Sequence, residues 1–215
     1  MRGRTVVRGG LLLVLLGAVG PARAANRTAL LIGNDHGLPG EVPLRHTSDD
    51  VRRLAGVLRE LGQFAPQDIH TVLDASARTA LQTLFDLKRQ REPGLLLVYY
   101  SGHANAEALH MNGTRLPLDT LLEALRPVDG GLQVLLLDAC QSGAASRNKG
   151  LTQGPAFDVR LAEALPEGHI VITSSAADEQ SYESDAHRGA LFTTHWIAAL
   201  RGAADSNGDG RVTVG

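Results

Sequence analysis

Apolar and polar residues follow two rhythms along this chain. Short, nearly unbroken apolar runs at residues 28–32, 69–73, 95–100, 134–137 and 170–173 have the length and make-up of buried strands. Between them the spacing turns helical. Val51, Leu54, Leu58 and Leu61 lie on one face of a helix over residues 49–61, with Thr47 or Ser48 as its N-cap. Leu81, Leu84, Phe85 and Lys88 repeat that spacing until Pro93-Gly94 stops it, and Phe192, Trp196, Ile197 and Leu200 mark a last amphipathic helix. Residues 118–125 form a short helix closed by Pro127 and Asp129-Gly130-Gly131. Residues 108–111 and 114–116 flank Asn112-Gly113, the strongest short hairpin signal.

Strands that are apolar throughout, rather than at alternate positions, belong to a sheet covered on both faces. Their alternation with helices predicts an α/β fold: a three-layer sandwich with a mainly parallel sheet flanked by helices on both faces. No internal repeat interrupts it. Residues 144–155 are a polar, Gly-containing loop that marks no domain boundary.

The first residues break this pattern. Arg2, Arg4 and Arg8 precede an apolar stretch at 11–19, then Pro21 and the small-x-small sequence Ala22-Arg23-Ala24. We read residues 1–24 as a secretory signal peptide and residues 25–215 as one exported domain, periplasmic or extracellular, with no stable membrane span after cleavage. An uncleaved membrane anchor is the alternative; spanning normally takes about 20 apolar residues. A net charge of −2 lacks the basic excess of a nucleic-acid binder. The single cysteine excludes an intrachain disulfide framework. A lone thiol in an oxidising compartment is either buried and inert or kept for its reactivity.

Its neighbours bear on that choice. In open parallel sheets functional groups gather where strands end at their carboxyl edge. One apolar run leads into Ser101-Gly102-His103 and another into Asp138-Ala139-Cys140. If those strands are neighbours, imidazole and thiol share an edge, and the imidazole can take the thiol proton. The competing reading makes Cys140 a small core residue and His103 a satisfied loop histidine; placement of both in Gly- and Ser-rich turns after apolar strands favours the dyad. Gly102 and Gly143 permit the close backbone approach that substrate and an oxyanion hole require. His36, His46, His110 and His195 show no zinc-ligand spacing.

The stretch Val98-Tyr99-Tyr100-Ser101-Gly102-His103 resembles the histidine motif of caspase-like (clan CD, peptidase C14-type) cysteine peptidases, and Leu136-Leu137-Asp138-Ala139-Cys140-Gln141-Ser142-Gly143 resembles their cysteine motif. Residues 29–34, 44–61, 172–176 and 189–200 resemble the family's first strand and helix and its small-subunit region, so the likeness spans nearly the whole mature chain. It leans toward metacaspases and bacterial caspase-like proteins. Animal caspases carry Gln-Ala-Cys with the histidine about 50 residues upstream; here Asp138 replaces the glutamine and the separation is 37.

The resemblance implies a cysteine endopeptidase with His103 and Cys140 catalytic, acting on protein or peptide substrates. It implies an oxyanion hole from the N–H groups of Ala104 and Cys140. Ala104 stands where glycine is common, and the hole survives if the local φ is negative. It also implies that Asp50 and Asp138 line an S1 pocket for a basic P1 side chain, bidentate geometry favouring arginine. Ser101 orients the imidazole, touches substrate, or is a plain turn serine. Asp50 reads equally as a helix N-terminal charge, Asp138 as a loop-holding carboxylate, and Arg45 as a caspase-type acid-binding arginine. Residues 144–155 correspond to the connection that some members cut during activation, which makes Arg147 and Lys149 candidate self-cleavage sites. A catalytically weak domain used for interaction or scaffolding is the second functional class.

The chemistry of such a dyad requires no cofactor. Asp205, Asn207 and Asp209 match the opening of an EF-hand-type calcium loop, with Gly210 at its sixth position. The alternative is a polar acidic turn before a strand at 212–214.

Overall fold

The structure is a computed structural model and describes residues 26–90, 94–126, 131–141, 168–174, 183–184, 189–205 and 207–208; of Cys140, Gln141, His169, Glu183 and Ser184 it describes the backbone. The expected signal peptide, Gly143, the loop at 144–155, Asp209 and the strand expected at 212–214 lie outside the described residues, as do Pro127 and Asp129-Gly130.

Five strands run parallel in the order β2 (Ile69–Leu73), β1 (Arg27–Gly33), β3 (Leu95–Ala104), β6 (Leu132–Gln141), β7 (His169–Thr173). Alternate side chains of each strand serve opposite faces. Leu30, Ile32, Leu96, Val98, Leu135 and Leu137 pack against α2 (Ala77–Gln90) and α3 (Leu118–Ala124). Ala29, Leu31, Leu97, Tyr99 and Leu136 pack against α1 (Thr47–Glu60) and α4 (Leu191–Ala198). Both faces are covered, which is why the strands read as continuous apolar runs. No helix among the described residues is long and apolar enough to cross a membrane.

The strand β3 is longer than β1, and the excess shapes the site. The ladder with β1 stops at Gly33 opposite Ser101. Beyond that point the same side of β3 is taken by the hairpin of β4 (Ala108–Met111) and β5 (Thr114–Pro117), with His103 opposite His110 and Ala104 opposite Leu109. The hairpin turn is Asn112-Gly113, both at positive φ (43° and 78°), the mirror-image turn that the Asn-Gly pair favours. A small ribbon of β8 (Glu183–Ser184) and β9 (Gly189–Ala190), absent from the sequence reading, leads into α4.

Three expectations need correcting. Neither Thr47 nor Ser48 caps α1. The helix begins at Thr47 after His46, and Asp35 supplies the cap from outside by accepting the Thr47 N–H at 3.2 Å and its hydroxyl at 2.7 Å. The buried face of α2 runs through Ala77, Ala80, Leu84 and Leu87, whereas Phe85 is 49% exposed. Lys88 reaches past that face, and its ammonium donates to the Ala124 and Arg126 carbonyls at 2.7 and 2.8 Å, satisfying the end of α3. Finally, β3 continues to Ala104 and β6 to Gln141, so His103 and Cys140 stand in strands and not in turns beyond them.

The α2 face makes a direct prediction. Leu84→Ala should lower unfolding free energy in urea by about 2–5 kcal/mol, and Phe85→Ser by no more than about 0.5 kcal/mol. A larger loss at Phe85 would contradict the orientation of α2.

Candidate active site

The β3–β6 ladder is in register along ten residues, which aligns Ser101 with Asp138 and His103 with Cys140. Neighbouring strands lie about 4.8 Å apart, and residues paired across parallel strands share a face. Tyr99, Ser101 and His103 therefore fall on one face with positions 136, 138 and 140. The two residues proposed for the dyad are cross-strand neighbours.

His103 is buried, 5% exposed, and its ring Nε2 lies 2.9 Å from the Val42 carbonyl oxygen. A carbonyl can only accept, so Nε2 carries the proton and a neutral ring keeps its lone pair on Nδ1. Nδ1 is buried and has no hydrogen-bond partner among the described residues. The Val42 carbonyl suits this task for a local reason. Pro43 follows it, which biases Val42 toward extended backbone. The loop that carries it, residues 34–46, is tied down by Leu44 N–H to Asp35 carbonyl at 2.9 Å, Asn112 N–H to His36 carbonyl at 2.7 Å and Gly113 N–H to Gly37 carbonyl at 2.8 Å.

Tyr100 points to the opposite face. Its hydroxyl lies 2.8 Å from both the His103 and His110 carbonyls and bridges the ends of β3 and β4. The room for it comes from Gly102, where a Cβ would collide with the tyrosine hydroxyl and ring. The sequence reading assigned Gly102 to close approach of substrate; among the described residues, the space beside it is filled by Tyr100.

The three residues expected to bind substrate do come together. The Asp50 carboxylate accepts from the Arg53 guanidinium, from the Ala190 N–H at 3.2 Å and, at the long distance of 3.4 Å, from the Ser101 hydroxyl. Asp138 accepts the Thr193 N–H at 3.2 Å and its hydroxyl at 2.6 Å. Since the Thr193 proton goes to the carboxylate, Tyr99 donates in turn to Thr193, 2.5 Å away. Asp50, Asp138 and Ser101 are all buried. Arg45 is exposed. Ala104 has no positive φ and lies in the ladder between Leu109 and Gln141, so its N–H lies in the plane of the sheet. Asp205 and Asn207 are described and Asp209 is not; among the described residues no three His, Cys, Asp or Glu side chains gather to hold a metal.

Both tyrosines hold their protons strongly. Burial pushes the Tyr99 phenol well above its ordinary value, and the negative charges of Asp138 and Asp50 push it further. Burial does the same for Tyr100, with the Glu41 carboxylate adding to it. The sequence reading missed Thr193, Glu41, His110 and the Val42 carbonyl. A backbone acceptor leaves no mark in sequence, and Thr193 lay hidden in an apolar helical pattern.

A parallel α/β sandwich with a hairpin grafted onto its central strand, and histidine and cysteine side by side at its carboxyl edge, has the build of a caspase-like domain. The family model described as the caspase domain matches residues 26–210, and the chain belongs to that family. At family level this places it among caspase-type cysteine peptidases. The chain is similar in fold to the crystal structure of caspase-1 from Spodoptera frugiperda, with a TM-score of 0.62 at 19% identity over 82% of this chain and 69% of that one. No curated protein matches it.

The raised phenols predict an alkaline limit to stability. Each tyrosine holds its proton in the folded state to a higher pH than in the unfolded chain. Their contribution is therefore complete below pH ~10 and is lost as pH rises through the folded value. Of the three tyrosines, Tyr99 and Tyr100 should ionise only as the protein unfolds. Phenolate absorbance followed alongside circular dichroism checks this; early, reversible ionisation of all three in the folded protein would contradict the burial.

Proposed function

We propose that the protein is a cysteine endopeptidase in which His103 and Cys140 form the dyad, with a preference for Arg or Lys at P1. The observation that carries this reading is His103 itself: it is the cross-strand neighbour of position 140, its Nε2–H is engaged by the Val42 carbonyl, and its Nδ1 has no partner among the described residues. In that state Nδ1 is a base. It takes the Cys140 thiol proton, the imidazolium is stabilised through Nε2–H by Val42, and the thiolate attacks the scissile carbonyl. The oxyanion that forms is assigned to the N–H groups of Cys140 and Ala104. The imidazolium then protonates the leaving amine, and water, deprotonated by His103, releases the acyl group.

The P1 preference rests on Asp50 and Asp138, buried on the same face as His103 and close enough to Tyr99 to hold its proton. This leaning, with Asp138 in place of glutamine, is what supports a metacaspase-like member. The leader at 1–24 supports export to a periplasmic or extracellular site. A second reading, a caspase-like domain used for interaction, is favoured by one feature: both carboxylates already accept bonds from the chain's own donors.

Two experiments separate these readings. Incubation with a mild alkylating agent and basic-P1 fluorogenic peptides should label Cys140 rapidly and show turnover. Cys140→Ala should abolish hydrolysis, and His103→Ala should slow it by roughly 10²–10⁴-fold, with circular dichroism confirming the fold, since both positions lie in strands. Turnover that survives Cys140→Ala would remove the peptidase reading; rapid labelling without any turnover would favour the interaction domain.

For specificity, Arg and Lys peptides should be cut faster than Asp peptides. Asp138→Asn should lower kcat/KM for the Arg substrate by roughly ten- to a hundredfold, the worth of one charge-assisted hydrogen bond. Faster cutting after Asp would overturn the acidic pocket and turn attention to Arg45.

A further inference from the structure

The Val42 carbonyl is itself held by an arrangement that the dyad does not explain. The preceding residue, Glu41, turns inward. One carboxylate oxygen lies 2.6 Å from Nδ1 of His110, and the other accepts the Leu38 N–H at 2.6 Å. The His110 side chain is buried, 5% exposed, and that of Glu41 is partly buried, 13% exposed. His110 is the ladder partner of His103 across β3 and β4, and the Tyr100 hydroxyl joins their two carbonyls. The chain thus closes a ring: His103 imidazole to the Val42 carbonyl, through the peptide to Glu41, across to His110, and back through the ladder to His103. Gly37 lies inside this ring. A Cβ there would come within 2.7 Å of the His103 ring and would collide with the Glu41 carboxylate, so both groups pack against the same bare Cα.

We propose that Glu41 and His110 are a positioning pair that fixes the Val42 carbonyl and, through it, the tautomer and orientation of His103. The proposal deepens the peptidase reading and rests on it for its catalytic meaning. A clasp needed only to close the loop onto β4 could be apolar, which would avoid the cost of burying a carboxylate against an imidazole. A carboxylate–imidazole hydrogen bond adds direction. It ties Glu41, and with it the next carbonyl, to one point on β4.

The test is made on the full chain with Glu41→Gln and, beside it, His110→Gln. The first readout needs no activity: the nitrogen resonances of His103 report which ring nitrogen carries its proton. Wild-type protein should show the Nε2–H tautomer, and both variants should show a mixture. The second readout is the pH profile of Cys140 alkylation, whose midpoint should move to higher pH, with a rate at neutral pH lower by roughly tenfold or more. Peptide hydrolysis should lose kcat with little change in KM. Glu41→Asp, charged but shorter, guards against a folding defect and should show the same loss. If every variant unfolds, or if they melt lower while the His103 tautomer and the alkylation profile stay put, the pair is a structural clasp only and the proposal is overturned. If the tautomer responds to Glu41 in a protein that hydrolyses nothing, the positioning pair stands and the peptidase reading fails.

Discussion

The ten-residue parallel ladder between β3 and β6 fixes the other features of the site. A slip of one residue would turn every side chain of β6 to the opposite face. The apolar residues forbid that slip, because Leu135 and Leu137 must meet α2 and α3 while Leu136 meets the α1 side. Core packing along the first half of the ladder thereby sets which polar residues meet in the second half. Ser101 falls beside Asp138, and His103 beside Cys140, as consequences of where leucines are buried several residues earlier.

That ladder would serve nothing if β1 were as long as β3. Because β1 stops at Gly33, the chain is free to leave the sheet there and to fold residues 34–46 over the carboxyl end of β3. This is also the switch point of the topology, with β2 on one side of β1 and β3 on the other, where a crevice opens in doubly wound sheets. The β4–β5 hairpin fills the edge that β1 vacates and, through Asn112 and Gly113, holds the crossing loop in place. A backbone carbonyl at residue 42 reaches a side chain at residue 103 because two separate terminations, of β1 and of the hairpin, leave a gap of the right size.

Much of this was legible in the sequence, and most of what was not has a common cause. Strand existence and the Asn-Gly turn follow from residue type and spacing; the meeting of His103 with Cys140 is conditional on neighbouring strands, a condition the β3–β6 ladder meets. Strand ends do not follow. Ser101-Gly102-His103 reads as a turn because Gly and Ser are turn residues, but β6 pairs with all three and β4 joins at His103, which keeps them extended. At Gly102, expected to permit close approach of substrate, the group that approaches is Tyr100. Helical spacing alone puts Phe85 on the apolar face, whereas the packing of α2 selects Ala80 and Leu87 instead. For the strand ends and for α2 the deciding contacts come from distant segments, which local pattern does not encode, whereas Gly102 meets a residue two positions away on the same strand.

The acidic face of the site carries one more consequence. Asp50 and Asp138 could have been silent, since hydrogen bonds from Arg53, Ala190, Ser101 and Thr193 occupy them. Ala190, Ser101 and Thr193 are neutral donors, which stabilise a carboxylate without cancelling its charge, while the Arg53 guanidinium offsets part of the charge of Asp50. Tyr99 registers the difference: both carboxylates still raise the cost of ionising its phenol. A field strong enough to act on a buried neighbour in this way also acts on any cation brought to the same face, and it does so without moving, because its sources are already locked by Thr193 and Ala190. In the proposed peptidase, a P1 guanidinium therefore meets acids whose desolvation and orientation were settled during folding, so that little reorganisation remains for binding.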